Sequence, residues 1–249
     1  MKLSCLLTSF FIFTALTAQS VVDFSYQGQA GDVHDYSHAE VISFTVDQQV
    51  LNWDTKAAFK RLGKLKLELV QVMPGGELVV EATNSLEGDK RLTYTLTRKG
   101  EVTAILDEDG DDLEEEWPLL TYPTEEIQVN VPWQSKGDEE LWELTFAFEK
   151  ENFFVVEGKL IDNQFFTEGF ANELSELLKE FSGEADISIT FRGIEGSMRS
   201  EICSKTHWPN EVYFNRQLHI QVTVNDENID FTLPVTVKIE EAYLKEGSF

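Results

Sequence analysis

The chain is poor in cysteine. Of its 249 residues only Cys5 and Cys203 are cysteines, and Cys5 lies in an N-terminal stretch expected to be removed on export. The mature chain then keeps Cys203 alone, which excludes an intramolecular disulfide and leaves stability to packing. Basic residues are also scarce: 20 Lys and Arg stand against 45 Asp and Glu, a formal charge of −25. That balance argues against nucleic acid and against anionic lipid surfaces, both of which need clustered Lys and Arg. It favours solubility, divalent cations or basic partners. There is no Asn-x-Ser/Thr sequon, which favours a bacterial envelope over a eukaryotic secretory route.

Catalytic signatures are missing as well. No G-x-S-x-G elbow occurs. His34 and His38 are spaced i, i+4, but the glutamate of an H-E-x-x-H zinc helix is not there. Cys203 has His207 four residues on, a proximity in sequence that does not make a nucleophile–base pair in space. So many carboxylates are present that no pair stands out as the two acids of a glycoside hydrolase. The expectation is a protein that is not an enzyme.

The one long apolar run, Leu6 to Leu16, is too short to span a bilayer comfortably. With Lys2 before it and Ala18 after it, residues 1–18 read as a signal peptide. The mature chain is then exported to the periplasm or beyond and carries no transmembrane segment.

What is abundant is alternation of period two. Ile42, Phe44 and Val46; Leu65, Leu67 and Leu69; and Leu92, Tyr94 and Leu96 each alternate with polar neighbours. So do Trp142, Leu144, Phe146 and Phe148, and likewise Ile187, Ile189 and Phe191. A last hairpin runs from Leu218 to Val224 and returns from Ile229 to Ile239. Pro234 cannot donate to a ladder, which places it at an edge or a bulge. Many short-spaced strands of this kind specify a mainly β fold, a curved antiparallel sheet or half-barrel.

Two stretches break the alternation. Residues 167–183 place Phe170, Leu174, Leu177, Leu178 and Phe181 on one helical stripe, with Gly183 as a stop. Residues 54–62 have Asp54 as an N-cap, Lys60 and Arg61 in a last turn and Gly63 beyond, which predicts a shorter helix. Two helices packed on the sheet, each followed by an alternating strand, suggest two similar halves. Residues 19–249 then form one β-rich domain, or two subdomains split near the charged, proline-bearing break at 107–123.

Two clusters are candidate sites. Residues 107–116 hold eight carboxylates, and Asp107, Asp109 and Asp111 are the candidate ligands of a weak calcium site. EF-hand spacing fails there, because position six is Asp112 rather than glycine, and a solvated loop is the plainer reading. No other cofactor is implied. The second cluster is aromatic: Trp142, Phe146, Phe154, Phe170, Leu174 and Phe181 are the candidate lining of an apolar cavity between sheet and helix, the setting for an acyl chain or lipidated peptide. The same residues would equally build a filled core.

Export, a long antiparallel meander and helices on the sheet's concave side resemble the bacterial periplasmic lipoprotein-carrier superfamily. The resemblance is one of element order and compartment, with no shared motif to carry ligand residues over. It implies an open half-barrel that holds acyl chains and does no chemistry. The leading expectation is therefore an exported envelope protein binding an apolar ligand. The alternatives are an envelope module that binds partner proteins, and last a glycoside hydrolase.

Overall fold

In the computed structural model, residues 21–46, 56–113, 117–136, 141–162, 186–226 and 229–247 are described. The signal peptide and the helix expected at 167–183 lie outside them. The chain runs β1 (Val21–Val22), β2 (Val33–Val46), β3 (Lys56–Val72), β4 (Leu78–Asn84), β5 (Lys90–Leu96), β6 (Val102–Leu106), β7 (Ile127–Gln128) and β8 (Pro132–Lys136). It continues through β9 (Leu141–Lys150), β10 (Phe153–Asp162), β11 (Asp186–Cys203), β12 (Pro209–Asp226) and β13 (Ile229–Lys245). A single 3-10 turn at Ser85–Glu87 links β4 to β5.

Eleven strands form one antiparallel sheet in the order β6-β5-β4-β3-β2-β13-β12-β11-β10-β9-β8. Neighbours in space are neighbours in sequence except at β2–β13, where the first and last long strands meet and join the two halves of the chain. The sheet does not close: β6 and β8 are its two ends. Strands β1 and β7 pair separately, Val21 with Gln128 and Val22 with Ile127.

The alternation read from sequence decides which face is buried. Along β2, His34, Tyr36 and His38 are buried while Asp35 and Ser37 are exposed. Leu65, Leu67 and Leu69 do the same on β3, and Leu92, Tyr94 and Leu96 on β5. Among the described residues, two segments that are mostly not strand cover part of the inner face. Phe24 and Tyr26, just after β1, are fully buried, and so to within a few per cent are Leu120 and Tyr122. Phe24 stacks on Tyr122 and meets Phe146 and Phe154 edge-on at 5.7 and 5.3 Å.

These covering segments are tied down by the polar ends of their aromatics, as buried Tyr and Trp require. Tyr26 Oη donates to Leu120 O at 2.7 Å, Tyr122 Oη to His207 O at 2.7 Å, and Trp208 Nε1 to Gln27 O at 2.9 Å. Burial pushes the phenols of Tyr26, Tyr36 and Tyr122 well up, so they stay neutral donors. Gly100, in the β5–β6 turn, has φ +82° and lies where a Cβ would meet Leu120 O and Tyr26 Cε2 at 2.8 Å; only glycine meets both demands.

The helix expected over 54–62 is corrected. Lys56–Leu62 is the start of β3, in register with β2: Leu62 opposes Ala39, Lys60 opposes Val41 and Ala57 opposes Phe44. The capping signals are local, whereas this stretch extends a ladder that continues without a shift from Leu62 to Glu68, and the ladder wins. That removes the first helix from the pattern that suggested duplicated halves. Pro234 behaves as its chemistry demands. Strand β13 sits between β12 and β2, but the β2 ladder begins at Val235, so at Pro234 only β12 lies alongside among the described residues.

Replacing Phe24 by Ala removes the ring against which Phe146, Phe154 and Tyr122 pack. It should cost about 3–5 kcal/mol, read as a lower urea midpoint with little change in slope.

Candidate functional site

The space enclosed by the unclosed sheet is not completely filled. A cavity of about 1340 Å³ lies between strands β4 to β6, strands β8 and β9, and the segment from Asp112 to Thr124. Its apolar wall includes Leu92, Tyr94, Trp117, Trp142, Leu144 and Met198, and its polar wall includes Lys90, Lys99, Gln134, Arg216 and Glu241. Small-molecule sites usually span roughly 300–1,000 Å³, so this one has room for a larger guest.

The cavity reaches a charged belt that crosses the middle of the inner face. Cross-strand register puts Arg61, Glu40 and Glu241 in one row across β3, β2 and β13. Two carboxylates directly opposite one another repel, and each has its own arginine. Arg61 Nη1 donates to Glu40 at 3.1 Å and Arg61 Nη2 to Leu86 O at 2.6 Å. Arg216 Nη1 donates to Glu241 Oε2 at 3.3 Å, while Tyr243 Oη and His38 Nε2 lie 2.6 and 3.1 Å from Oε1. Burial favours a neutral Glu241, but His38, the Arg216 charge and the Tyr243 hydroxyl outweigh it and hold the carboxyl down at about 2. His38 stacks on Tyr243 at 4.3 Å, and its Nδ1 is buried without a hydrogen-bond partner.

Gly63 opposes His38 on β3, and a Cβ there would meet Leu86 and Ser85 Oγ at 2.7 Å. The missing side chain lets the Ser85–Glu87 turn settle against β3 beside the belt. On the other side of the belt the same face turns apolar again: Ile239, Val237, Leu218, Ile220 and Val222 are buried and form a second cluster.

The candidate residues separate on this frame. Trp142 lines the cavity. Phe146 and Phe154 belong to the filled core, each packed on Phe24, so their side chains touch protein. Phe170, Leu174 and Phe181 lie outside the described residues. Asp107, Asp109 and Asp111 sit in an exposed loop where Asp107 Oδ1 accepts the backbone N–H of both Asp109 and Asp111 at 2.9 Å. Among the described residues no three His, Cys, Asp or Glu side chains come together to hold a metal. His207 Nδ1 lies 3.0 Å from both the N and the O of Ser25.

Sequence reading missed Arg216, Glu241, His38, Glu40 and Arg61 as a group. The available signal was charge at inward positions of otherwise apolar strands: Arg216 interrupts the run Val212, Phe214, Leu218, Ile220, and Glu241 separates Ile239 from Tyr243. His34 and His38 do share a face, because i, i+4 is also an even spacing on a strand. They serve different neighbourhoods. His34 stacks on Trp208 at 4.1 Å and its Nδ1 accepts from Lys245 Nζ at 2.7 Å; burial and the Lys245 charge lower it to about 4.

No protein-family model matches the chain, and no curated protein matches it. Among solved structures it is similar to the outer membrane protein OprG from Pseudomonas aeruginosa, at 9% identity and a TM-score of 0.25, over 87% of this chain and 97% of that one. A score that low leaves fold and function to be argued from this chain's own residues. On the outward positions Asp35 opposes Lys66, Glu157 opposes Arg199 and Gln217 opposes Lys238, while Val33, Val70, Ile161 and Leu244 are exposed hydrophobics. Among the described residues no helix is long and apolar enough to cross a membrane.

Acid should destabilise this interior in two stages. His34 titrates at about 4 when folded against 6.5 otherwise, so its contribution is whole above pH 6.5 and lost as pH falls toward 4. Glu241 titrates at about 2 against 4.5, so its contribution is whole above 4.5 and lost toward 2. Each is worth at most on the order of 3 kcal/mol. Urea midpoints at pH 7.5, 5 and 3 should fall in that order, and His34→Gln should flatten most of the change between 7.5 and 5 and reduce the lower step only by the part of the His34 loss between 5 and 4.

Proposed function

We propose that the protein is a non-enzymatic, exported envelope protein that binds an apolar or amphipathic ligand of acyl-chain type inside its open sheet. The cavity carries this reading: about 1340 Å³ whose wall combines Leu92, Tyr94, Trp142, Leu144 and Met198 with Lys90, Gln134, Arg216 and Glu241, on the face of the sheet that holds the buried core. An interaction module would show the reverse, an apolar patch on the outside. The exposed Leu62 and Leu244 instead stand among Lys64, Ser37 and Glu211 in the neighbouring register.

Export rests on the N-terminal signal pattern, and the absence of chemistry rests on the missing nucleophile and metal signatures. The ligand sits in a cavity flanked, among the described residues, by β4 to β6, β8 and β9 and the stretch from Trp117 to Thr124.

Native mass spectrometry of full-length protein taken gently from a membrane-containing extract should show a lipid-sized adduct. The cavity-filling Ala82→Phe, at a buried wall position, should remove the adduct while far-UV circular dichroism stays unchanged. A bare mass for the wild type, together with failure to bind N-phenyl-1-naphthylamine, would rule the reading out.

A further inference from the structure

We infer that the joint between the covering segment 23–28 and the turn 203–208 is an acid-sensitive latch, in which protonation of His34 and His207 parts that edge of the segment from the turn while the sheet stays folded. The latch belongs to the cover of the inner face and does not depend on the ligand-binding reading above.

Backbone bonds hold the segment on both of its edges. Toward the turn, Ser25 N donates to His207 Nδ1 at 3.0 Å, Gln27 N to Thr206 O at 2.8 Å and Trp208 Nε1 to Gln27 O at 2.9 Å. Toward the β5–β6 turn, Tyr26 N donates to Arg98 O at 2.7 Å and Arg98 Nη1 to Tyr26 O at 3.0 Å. The turn 203–208 has ties of its own: Cys203 N donates to Trp208 O, His207 N to Cys203 O and Ser204 N to Asn152 O. It is the fixed side of the joint, and two of its three bonds to the segment depend on a histidine.

His207 takes part directly. Its Nδ1 faces both the N–H and the carbonyl of Ser25, each at 3.0 Å. Bare, that nitrogen accepts the N–H; protonated, it can only donate, and the Ser25 N–H loses its acceptor. The ring packs against Phe24 and Phe154, at 5.5 and 5.9 Å between centroids. Burial lowers its pKa, outweighing the Ser25 carbonyl and the Asp23 charge, and Lys99 adds to the lowering.

His34 acts through Trp208. The two rings stack at 4.1 Å, and the indole carries the bond to Gln27 O. Lys245 Nζ donates to His34 Nδ1 at 2.7 Å, which leaves the ring proton on Nε2, buried without a hydrogen-bond partner among the described residues. A second proton would have to enter on Nδ1, facing an ammonium group that cannot accept it. Of the charged groups around the ring, Lys245 on β13 opposes that proton and Asp32 ahead of β2 favours it, while Cys203 in the turn faces Lys245.

The window follows from these signs. His34 titrates at about 4 against 6.5 otherwise, so the latch is whole above pH 6.5 and loosens as pH falls toward 4. Glu241 gives way only toward 2, and the bonds on the β5–β6 side run through backbone groups and a guanidinium, which acid leaves unchanged.

The test is residue-resolved amide hydrogen exchange of full-length protein at pH 7.5, 5 and 4, expressed as protection factors to remove the intrinsic pH dependence of exchange. Protection of the Ser25 and Gln27 amides should fall about 10- to 100-fold by pH 4, the effect of losing a hydrogen bond at a buried joint. At pH 4 their exchange should be indifferent to low urea, the mark of local opening. The Tyr26 amide and the β12–β13 ladder should stay better protected, the ladder with the urea dependence of global unfolding. The nitrogen shifts of the two imidazoles should titrate together with the loss at Ser25 and Gln27. H34Q/H207Q, with no imidazole to charge at the joint, should show the same protection at pH 4 as at pH 7.5. A fall in that variant equal to the wild type's overturns the latch, as does exchange at Ser25 and Gln27 that shares the ladder's protection and urea dependence. If the double variant is already open at pH 7.5, the wild type decides: imidazole titration and loss of protection at separate midpoints overturn the latch.

Discussion

An apolar sheet face cannot be left to water, and in this molecule the sheet does not close to hide it. Everything else answers that constraint. A closed barrel would cover its inner face with its own strands, whereas this sheet ends at β6 and β8. The chain therefore spends the segment after β1 and the stretch from Trp117 to Tyr122 on covering it. Both are irregular, and irregular backbone inside a protein carries amides and carbonyls that need partners. The Tyr and Trp side chains supply them, so the residues that fill the interior also pin the chain that crosses it. Tyr26, Tyr122 and Trp208 each bury a ring and bond a backbone carbonyl from a distant part of the sequence.

The covering is incomplete, and the incompleteness is patterned. Beneath Phe24 the rings of Phe146, Phe154 and Tyr122 leave no room for a guest. Toward β4–β6 on one side and β9 on the other the wall mixes apolar and polar side chains and is unfilled. Between that space and the second apolar cluster runs the belt of Arg61, Glu40, Glu241, Arg216 and His38. The belt is graded in exposure, with Arg61 more than half exposed and Arg216 and Glu241 largely shielded.

Much of the fold is legible in the order of the residues. The alternation of Leu65-Leu67-Leu69 and Leu92-Tyr94-Leu96 names both the strands and their buried face, and Pro234 marks a place where the ladder thins because it has no N–H to give. The helix expected at 54–62 fails because capping residues report local preference, and a ladder of neighbouring strands outweighs it. The acidic break at 107–123 is half legible: Asp107 to Asp112 is a solvated loop, while Trp117, Leu119, Leu120 and Tyr122 beyond it are core. Trp208, beside a Pro-Asn pair that signals a turn, is among the largest fully buried side chains. Of the aromatic cluster expected as lining, Trp142 reaches the cavity, whereas Phe146 and Phe154 are used up on Phe24, a residue more than a hundred positions away.

The sequence by itself determined the alternating strands such as Leu65–Leu69 and Leu92–Leu96, their inward face and the surplus of negative charge, because a period of two and a charge count are properties of residues in order. Only the tertiary structure decided that the sheet stays open, that two irregular segments cover part of it, and that Arg216 from β12 meets Glu241 from β13 and His38 from β2 at the edge of a cavity. Those outcomes depend on register between strands far apart in the chain, and a shift of one residue in any ladder would have turned the same side chains out to water.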